Sequence, residues 1–358
     1  MQKYPSKDGG QKCHAGQNAE YWTRIITSAY KELILAPFLD KERWVEVFEG
    51  FVIVDLAIQE KGVLKICARK DIPQREASLM FDADIPTRII GLFTEFPAGD
   101  NCGFQELEGM TLPVVGVSRA PFSHPTGLVA SKNRNGDVWP RGNGNGPMEH
   151  IAPGMSPFPE KLKCIEGTTY SVGACRCIYK RVEAGKWVPF QDGFPTVEPS
   201  TNLGFRDLDA FSPSDMYAVG GHGDVWHYDG TQWRQMGFPS NVQLATVTCA
   251  GDGNVYISGE GGSLWVGEKS TWKSIYQGTS SIHWNDVLWF QNRLWLSSDY
   301  QFRQWHRNKL IPVEHEGKIV PIAGHMDAFD GLLAIASLDS VMSFDGQKWT
   351  DLVSPYID

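Results

Sequence analysis

The stretch that decides the fold is Met216-Tyr217-Ala218-Val219-Gly220-Gly221, followed by Asp224-Val225-Trp226-His227-Tyr228-Asp229-Gly230-Thr231-Gln232-Trp233. Two short apolar runs flank a glycine turn, and Asp229-Gly230 then leads to a tryptophan. Asp-Gly beside apolar runs is a hairpin signal, because glycine accepts a positive φ without a steric penalty. The phrase recurs at a fixed distance. Thirty-nine residues on, Val255-Tyr256-Ile257-Ser258-Gly259 precedes Ser263-Leu264-Trp265-Val266 and then Trp272. Leu294-Trp295-Leu296-Ser297 repeats the phase, followed by Phe302 and Trp305. A fourth copy runs Leu332 to Ala336 and Val341 to Phe344, and Asp345-Gly346 closes it before Lys348-Trp349.

Weaker copies precede these. Thr169 to Gly173 leads to Cys177-Ile178-Tyr179 and Trp187, and Gly127 to Ser131 leads to Gly136-Asp137-Val138-Trp139. The step from Ile178 to Val225 is longer than the others, which places an insertion near Phe194 to Asn202. Each unit holds four short apolar runs, and four strands every ~40 residues is the period of a propeller blade. The fold class expected is all-β: a β-propeller of six to seven four-stranded blades with an N-terminal helix-containing extension. Neighbouring blades must seal each other's faces, so most of the 13 tryptophans are read as wedge-filling residues. Tyr217, Tyr256 and Trp295 should share one position on second strands, with Trp233, Trp272 and Trp349 near outer strands.

The Tyr-Ala-Val-Gly phrase with Val-Trp-x-Tyr-Asp-Gly-x-x-Trp, from Tyr217 to Trp233, resembles the blades of bacterial β-propeller repeat proteins. Val341 to Trp349 matches its second half, whereas Leu294 to Leu310 lacks both the Asp-Gly and the final Trp. The resemblance covers residues 112 to 358 and implies an architecture. Propellers serve binding and catalysis alike, so it leaves activity open.

The chain before Gly109 reads differently. Tyr21, Trp22, Ile25, Ile26, Ala29, Tyr30 and Leu33 recur at helical spacing, predicting a helix from about Asn18 to Leu35 that ends at Pro37 and Asp40. Residues 1–45 are expected as a helical extension and 46–358 as the propeller. Strand-like runs at Phe51 to Ile58, Val63 to Ala68, Ser78 to Phe81 and Thr87 to Phe93 make 46–110 a degenerate first blade or a small α+β cap, the blade being preferred.

Composition narrows function. The net charge is −9, from 33 basic and 42 acidic residues. That balance disfavours phosphate backbones, so no nucleic-acid partner is expected. No apolar run reaches the length of a spanning helix, so no membrane partner is expected either. Met1 to Glu20 is polar and lacks a signal-peptide core. The seven cysteines, with no export signal, read as reduced thiols in a cytoplasm. Cys175 and Cys177 read as two small buried side chains.

No motif of nucleophilic, metal or cofactor chemistry survives inspection, so no cofactor and no metal is expected. Gly142 to Gly146 lacks the Gly-Lys-Ser/Thr of a phosphate loop and reads as a mobile loop. Asn133 to Asp137 has one carboxylate, too few for calcium, and reads as a turn. The first strand of each blade lines the channel, which brings Asp207, Asp209, Asn285, Asp286, His325 and Asp327 towards one another. These are the candidate partner-binding residues, set against the plainer reading that polar groups hydrate the channel. The function expected is a non-catalytic protein-interaction module, specifically a cytoplasmic bacterial immunity protein that neutralises a secreted toxin, with a basic protein as partner. The alternative is a carbohydrate-active enzyme or lectin, with tryptophans stacking on sugars and paired carboxylates cleaving them.

Overall fold

The repeat phrase folds as its pattern requires. Asp215–Gly220 pairs antiparallel with Asp224–Tyr228, placing Tyr217 opposite His227 and Val219 opposite Val225. The Asp229 carboxylate accepts from the backbone N–H of Thr231 and Gln232, at 3.0 Å each. Gly230 holds φ at +89°. Asp345 accepts from Gln347 and Lys348, at 2.8 Å each, beside Gly346 at +97°. The Asp-Gly-x-x-Trp motif is therefore a side-chain-capped turn that delivers a tryptophan to the start of the outer strand.

The structure is a computed structural model that describes residues 38–119, 124–142, 146–195, 203–278 and 282–356. Seven four-stranded antiparallel sheets make an all-β propeller. Blade 1 comprises Phe51–Glu60, Val63–Lys70, Thr87–Phe93 and Cys102–Leu107. Blade 2 comprises Val114–Ser118, Thr126–Ala130, Asp137–Gly142 and Glu149–His150. Blade 3 comprises Pro159–Ile165, Thr168–Gly173, Ile178–Glu183 and Lys186–Pro189. Blade 4 comprises Phe205–Ser212, Asp215–Gly220, Asp224–Tyr228 and Trp233–Met236. Blade 5 comprises Leu244–Cys249, Val255–Gly259, Ser263–Glu268 and Thr271–Tyr276. Blade 6 comprises Asp286–Phe290, Arg293–Ser297, Phe302–His306 and Lys309–Pro312. A small hairpin, Glu314–His315 with Lys318–Ile319, separates it from blade 7, which comprises His325–Phe329, Leu332–Ala336, Val341–Phe344 and Trp349–Val353.

Tyr217, Tyr256 and Trp295 do share one phase on second strands, and all three are buried. Trp233 and Trp349 open outer strands and are buried, while Trp272 is half-buried against Phe238. The wedges they fill are aromatic. Between blades 3 and 4, Trp233 stacks on Phe194 with centroids 5.4 Å apart and donates from its indole N–H to the Phe190 carbonyl at 3.0 Å. Between blades 6 and 7, Trp295, Phe302, Phe344 and Trp349 meet in edge and stacked pairs. Such pairs add to the area that each ring buries.

One expectation for the first hundred residues needs correction. Ser78 to Phe81 is not a strand: a one-turn helix, Gln74–Ala77, precedes it and the run faces solvent in a loop. The fourth strand of blade 1 is Cys102–Leu107, whose half-exposed edge position weakens its alternation in the sequence. Asp40 caps a helix, accepting from Arg43 N at 2.8 Å at the start of α1, Lys41–Phe48. The helix expected from Asn18 to Leu35 and Cys13 lie outside the described residues, as do positions 143–145 of the glycine-rich segment.

Every blade uses consecutive chain, so no strand is shared across the closing seam. Closure between blades 7 and 1 rests on Ile53 N donating to the Leu338 carbonyl at 2.7 Å and Ile58 N donating to Asp327 at 2.8 Å. One apolar cluster spans the seam, joining Ile53 and Leu56 to Ala334, Ala336 and Val341, with Phe48 of α1 packed on it. The Tyr356 hydroxyl donates to the Leu39 carbonyl, and its ring meets Trp44 edge-on at 6.1 Å.

Candidate functional site

The first strands face the bore, and their registers against the second strands align them. Asp207 lies opposite Val219, and the matching positions are Lys161, Thr246, Asp286 and His325. Two residues further along each strand are Lys163, Asp209, Thr248, Leu288 and Asp327. Blade 3 thus carries Lys-Leu-Lys where blade 4 carries Asp-Leu-Asp.

The expected carboxylates do line the bore, and each is engaged between blades. Asp207 accepts from Leu208 N of its own strand and from Val247 N of blade 5, both at 2.9 Å. Asp209 accepts from Cys249 N at 2.9 Å, Asp286 from Met326 N at 2.9 Å, and Asp327 from Ala328 N at 2.9 Å besides Ile58 N. Asp55, which sequence reasoning missed, does the same for Leu56 and Val115, at 2.9 and 2.7 Å. Asp207, Asp327 and Asp55 thus each satisfy two strand amides, and Asp209 and Asp286 one each. Asn285 sits apart, at the mouth of the bore, donating to Asp299 at 2.6 Å.

Lysines answer these acids. Lys161 spans the bore from blade 3 to Asp286 of blade 6 at 2.6 Å, and Lys163 reaches Asp209 at 3.1 Å. His325 Nδ1 lies 3.3 Å from Asp286 and 3.9 Å from Asp55. Burial pushes the Asp207 carboxyl up to about 6, against the pull of Lys163 and Lys161. Burial raises Asp55 as well. Burial also opposes ionisation of Asp286, but Lys161 and His325 outweigh it and hold that carboxyl well below the usual range. The same carboxylates overcome burial at Lys161, Lys163 and His325, raising all three. Lys161 and Lys163 were legible in principle, through the alternation of Glu160-Lys161-Leu162-Lys163 in phase with Arg206-Asp207-Leu208-Asp209.

Blade 3 is also tied to its neighbours by buried arginine forks. Arg181 holds Glu149 of blade 2 at 2.9 and 2.5 Å, with Trp187 donating to the same carboxylate at 2.9 Å. Arg176 holds Asp224 of blade 4 at 2.7 and 2.9 Å. Arg176 reaches it from a turn whose residues Cys175 and Arg176 have φ of 55° and 56°. That turn corrects the expectation of a buried cysteine pair: Cys175 and Cys177 are half-buried at its two ends. The six described cysteines are free thiols. Asn133 to Asp137 forms a turn, with Asn133 accepting from the amides of Asn135 and Asp137. Among the described residues no group of three or more His, Cys, Asp or Glu side chains could hold a metal ion, and no helix is long and apolar enough to cross a membrane.

These features define a class: seven-bladed propellers whose first strands are clamped by carboxylates and whose bore is spanned by an ion pair. No family model matches the chain. Among curated proteins, it is similar to the Immune protein Tsi7 of Pseudomonas aeruginosa, with 29% identity over 263 residues that cover 72% of this chain and 86% of that protein. Among solved structures, it resembles YCF48 bound to D1 peptide, with a TM-score of 0.55 at 13% identity over 86% of this chain and 94% of that one. It also resembles the WD40 β-propeller domain of Doa1, with a TM-score of 0.54 at 12% identity over 80% of this chain and 90% of that one. At these identities the structural likeness is one of fold.

Proposed function

We propose that this protein is a toxin-immunity protein: it binds a toxin in the bacterial cytoplasm and neutralises it by occupying the toxin's working surface. The observation that carries this reading is the 29% identity to Immune protein Tsi7, which runs through most of both chains. The fold suits the task, because blade loops set on a hydrogen-bonded ring present contacts that need little ordering on binding. The net charge of −9 favours a basic partner, whose encounter it would accelerate.

The test is co-production with the product of the adjacent gene, taken as the candidate toxin. Growth arrest by that product should be relieved by this chain, and the purified pair should form a stoichiometric complex by calorimetry. A chain that neither relieves arrest nor binds removes the proposal. Turnover of a glycan by the purified chain would favour the carbohydrate-active alternative.

A further inference from the structure

We infer that the partner docks on the loops joining second to third strands in blades 6, 7 and 1, and that it brings basic side chains around apolar pockets. This inference rests on the toxin-binding reading above. The three blades are consecutive around the ring: Asp286 of blade 6 holds Met326 of blade 7, and Asp327 of blade 7 holds Ile58 of blade 1. Alternate turns of an antiparallel blade lie at opposite ends, so these loops share one face.

Each of the three loops turns large apolar side chains to solvent. Tyr300 is 85% exposed in blade 6, Leu338 66% in blade 7, and Leu79 and Phe81 86% and 82% in blade 1. Single exposed apolar residues are ordinary, but their recurrence on three neighbouring loops of one face is the kind of patch that marks an interface. The equivalent loops of blades 2 to 5, at 131–136, 174–177, 221–223 and 260–262, carry no exposed large hydrophobic residue.

Charge separates the two sets of loops in the same way. Loops 71–86, 298–301 and 337–340 hold six acids, Asp71, Glu76, Asp82, Asp84, Asp299 and Asp339, against Arg75 alone. The loops of blades 2 to 5 hold Arg134 and Lys132, the latter paired with Glu160, against Glu260, while Arg176 is buried on Asp224. An apolar surface ringed by carboxylates complements cations around apolar pockets and repels an acidic surface.

The projecting side chains stand on fixed backbone. Ser298 Oγ accepts from Tyr300 N and Gln301 N at 3.3 and 3.0 Å, and Ser337 Oγ accepts from Asp339 N and Ser340 N at 3.4 and 3.1 Å. Asp82 anchors the long loop of blade 1, accepting from Arg69 at 2.9 Å and Leu112 N at 2.6 Å. Aromatic side chains such as Tyr300 and Phe81 are enriched at protein interfaces, and a pre-ordered backbone lowers the cost of binding them.

The test is the triple variant Phe81→Ser, Tyr300→Ser, Leu338→Ser, measured by calorimetry against the purified product of the adjacent gene. Two controls accompany it: Arg134→Ser on the basic loops and Phe96→Ser at the opposite end of blade 1. Because the three residues are exposed, melting temperatures should match the wild type. The triple variant should bind about 100-fold more weakly, and the controls within about threefold of wild type. Triple-variant affinity within that threefold window would overturn the docking site while leaving the toxin-binding function in place. Failure of the wild type to bind would remove the function and, with it, this inference. A wild-type dimer in sedimentation, dissolved by the triple variant, would assign the surface to a second copy of the chain and overturn the proposal.

Discussion

Blades 2 to 4 and blades 6, 7 and 1 are joined by different chemistry and turn different surfaces to solvent. From blade 6 round to blade 2, a bore aspartate of one blade holds an amide of the next: Asp286, Asp327 and Asp55 in turn. Blade 3 places lysines at the aspartate positions and cannot clamp that way. Its buried pairs lie further out, at Arg181–Glu149 and Arg176–Asp224, with Lys163–Asp209 as a pair to a neighbouring blade that stays in the bore. At the bore, Gly116 of blade 2 permits close approach instead: a Cβ there would stand 2.3 Å from Leu162 Cβ. The lesson is that the group joining two blades can move from the bore to the wedge when the inner strand changes, and it can be neutral, as where the Thr248 hydroxyl of blade 5 donates to the Val287 carbonyl of blade 6 at 2.5 Å. Blades 6, 7 and 1, clamped in this way, also carry the loops with exposed apolar residues and acids, whereas blade 4 is clamped to blade 5 by Asp207 and Asp209 and its loop carries neither.

The largest expected effect lies in the blade 2–3 junction. Arg181→Met would leave Glu149 buried with only Trp187 as a partner. Removing one member of a buried pair costs about 3–5 kcal/mol. Denaturant unfolding should read a loss of that order, comparable to Trp233→Ala in the aromatic wedge. A loss below about 1 kcal/mol, the ordinary yield of an exposed pair, would break the comparison.

Next is the ring closure. Asp327→Ala removes the acceptor of Ile58 N and Ala328 N at the seam where no strand is shared. A buried donor left without a partner costs about 1–3 kcal/mol. Hydrogen exchange should speed first at Ile53 and Ile58 if closure depends on this clamp. Uniform acceleration across all blades would mean that the seam has no separate weakness.

The architecture was legible because wedge packing repeats: buried aromatics fill the wedges from blade 2 round to blade 7, and so the tryptophans recur at one phase, whereas the buried wedge between blades 1 and 2 is aliphatic. Blade 1 escaped a firm reading because its 16-residue loop from Asp71 to Pro86 breaks the spacing. Ser78 to Phe81 looked like a strand for the same reason it is interesting now: it is apolar without being buried. The channel residues were found by phase, since first strands must face the axis. What phase could not supply was their partners. Asp207 and Val247 are far apart in sequence, and the Lys161–Asp286 pair joins blades three apart. A backbone amide that donates to such a carboxylate leaves no trace in residue identity.

A smaller effect is the pH response of the bore. His325 faces Asp286 and Asp55, with Lys161 as the nearest cation, and the acids outweigh burial to raise its pKa in the folded state. Its contribution is therefore full below the unfolded value of about 6.5 and is lost as pH rises through the higher folded value. Asp286 acts in the opposite sense, stabilising above about 4 and losing that contribution as pH falls. The stability advantage of wild type over His325→Gln should shrink between about pH 6 and pH 8. A difference that is flat across this range would show that His325 keeps one charge state.

The smallest effect on folding, and the one that bears most directly on recognition, comes from the acids of the projecting loops. Glu76→Gln, Asp299→Asn and Asp339→Asn together neutralise half of the six acids on loops 71–86, 298–301 and 337–340. Surface substitutions of this kind shift stability by about 0.5 kcal/mol or less. Association should respond more strongly, because steering acts on the encounter rate and fades as salt shortens the screening length. With the candidate toxin, the triple charge variant should associate several-fold more slowly at low salt and approach the wild-type rate at high salt, with dissociation little changed. The bore offers the contrast. Asp207→Asn, Asp209→Asn, Asp286→Asn and Asp327→Asn together disturb the clamps between blades, so they should lower the unfolding midpoint. If that quadruple variant stays fully folded and slows association more than the loop variant, the bore carboxylates are the docking groups and the loops are not. If the loop variant alone flattens the salt dependence, recognition belongs to the face of blades 6, 7 and 1, and the carboxylates of the bore serve to hold that face in shape.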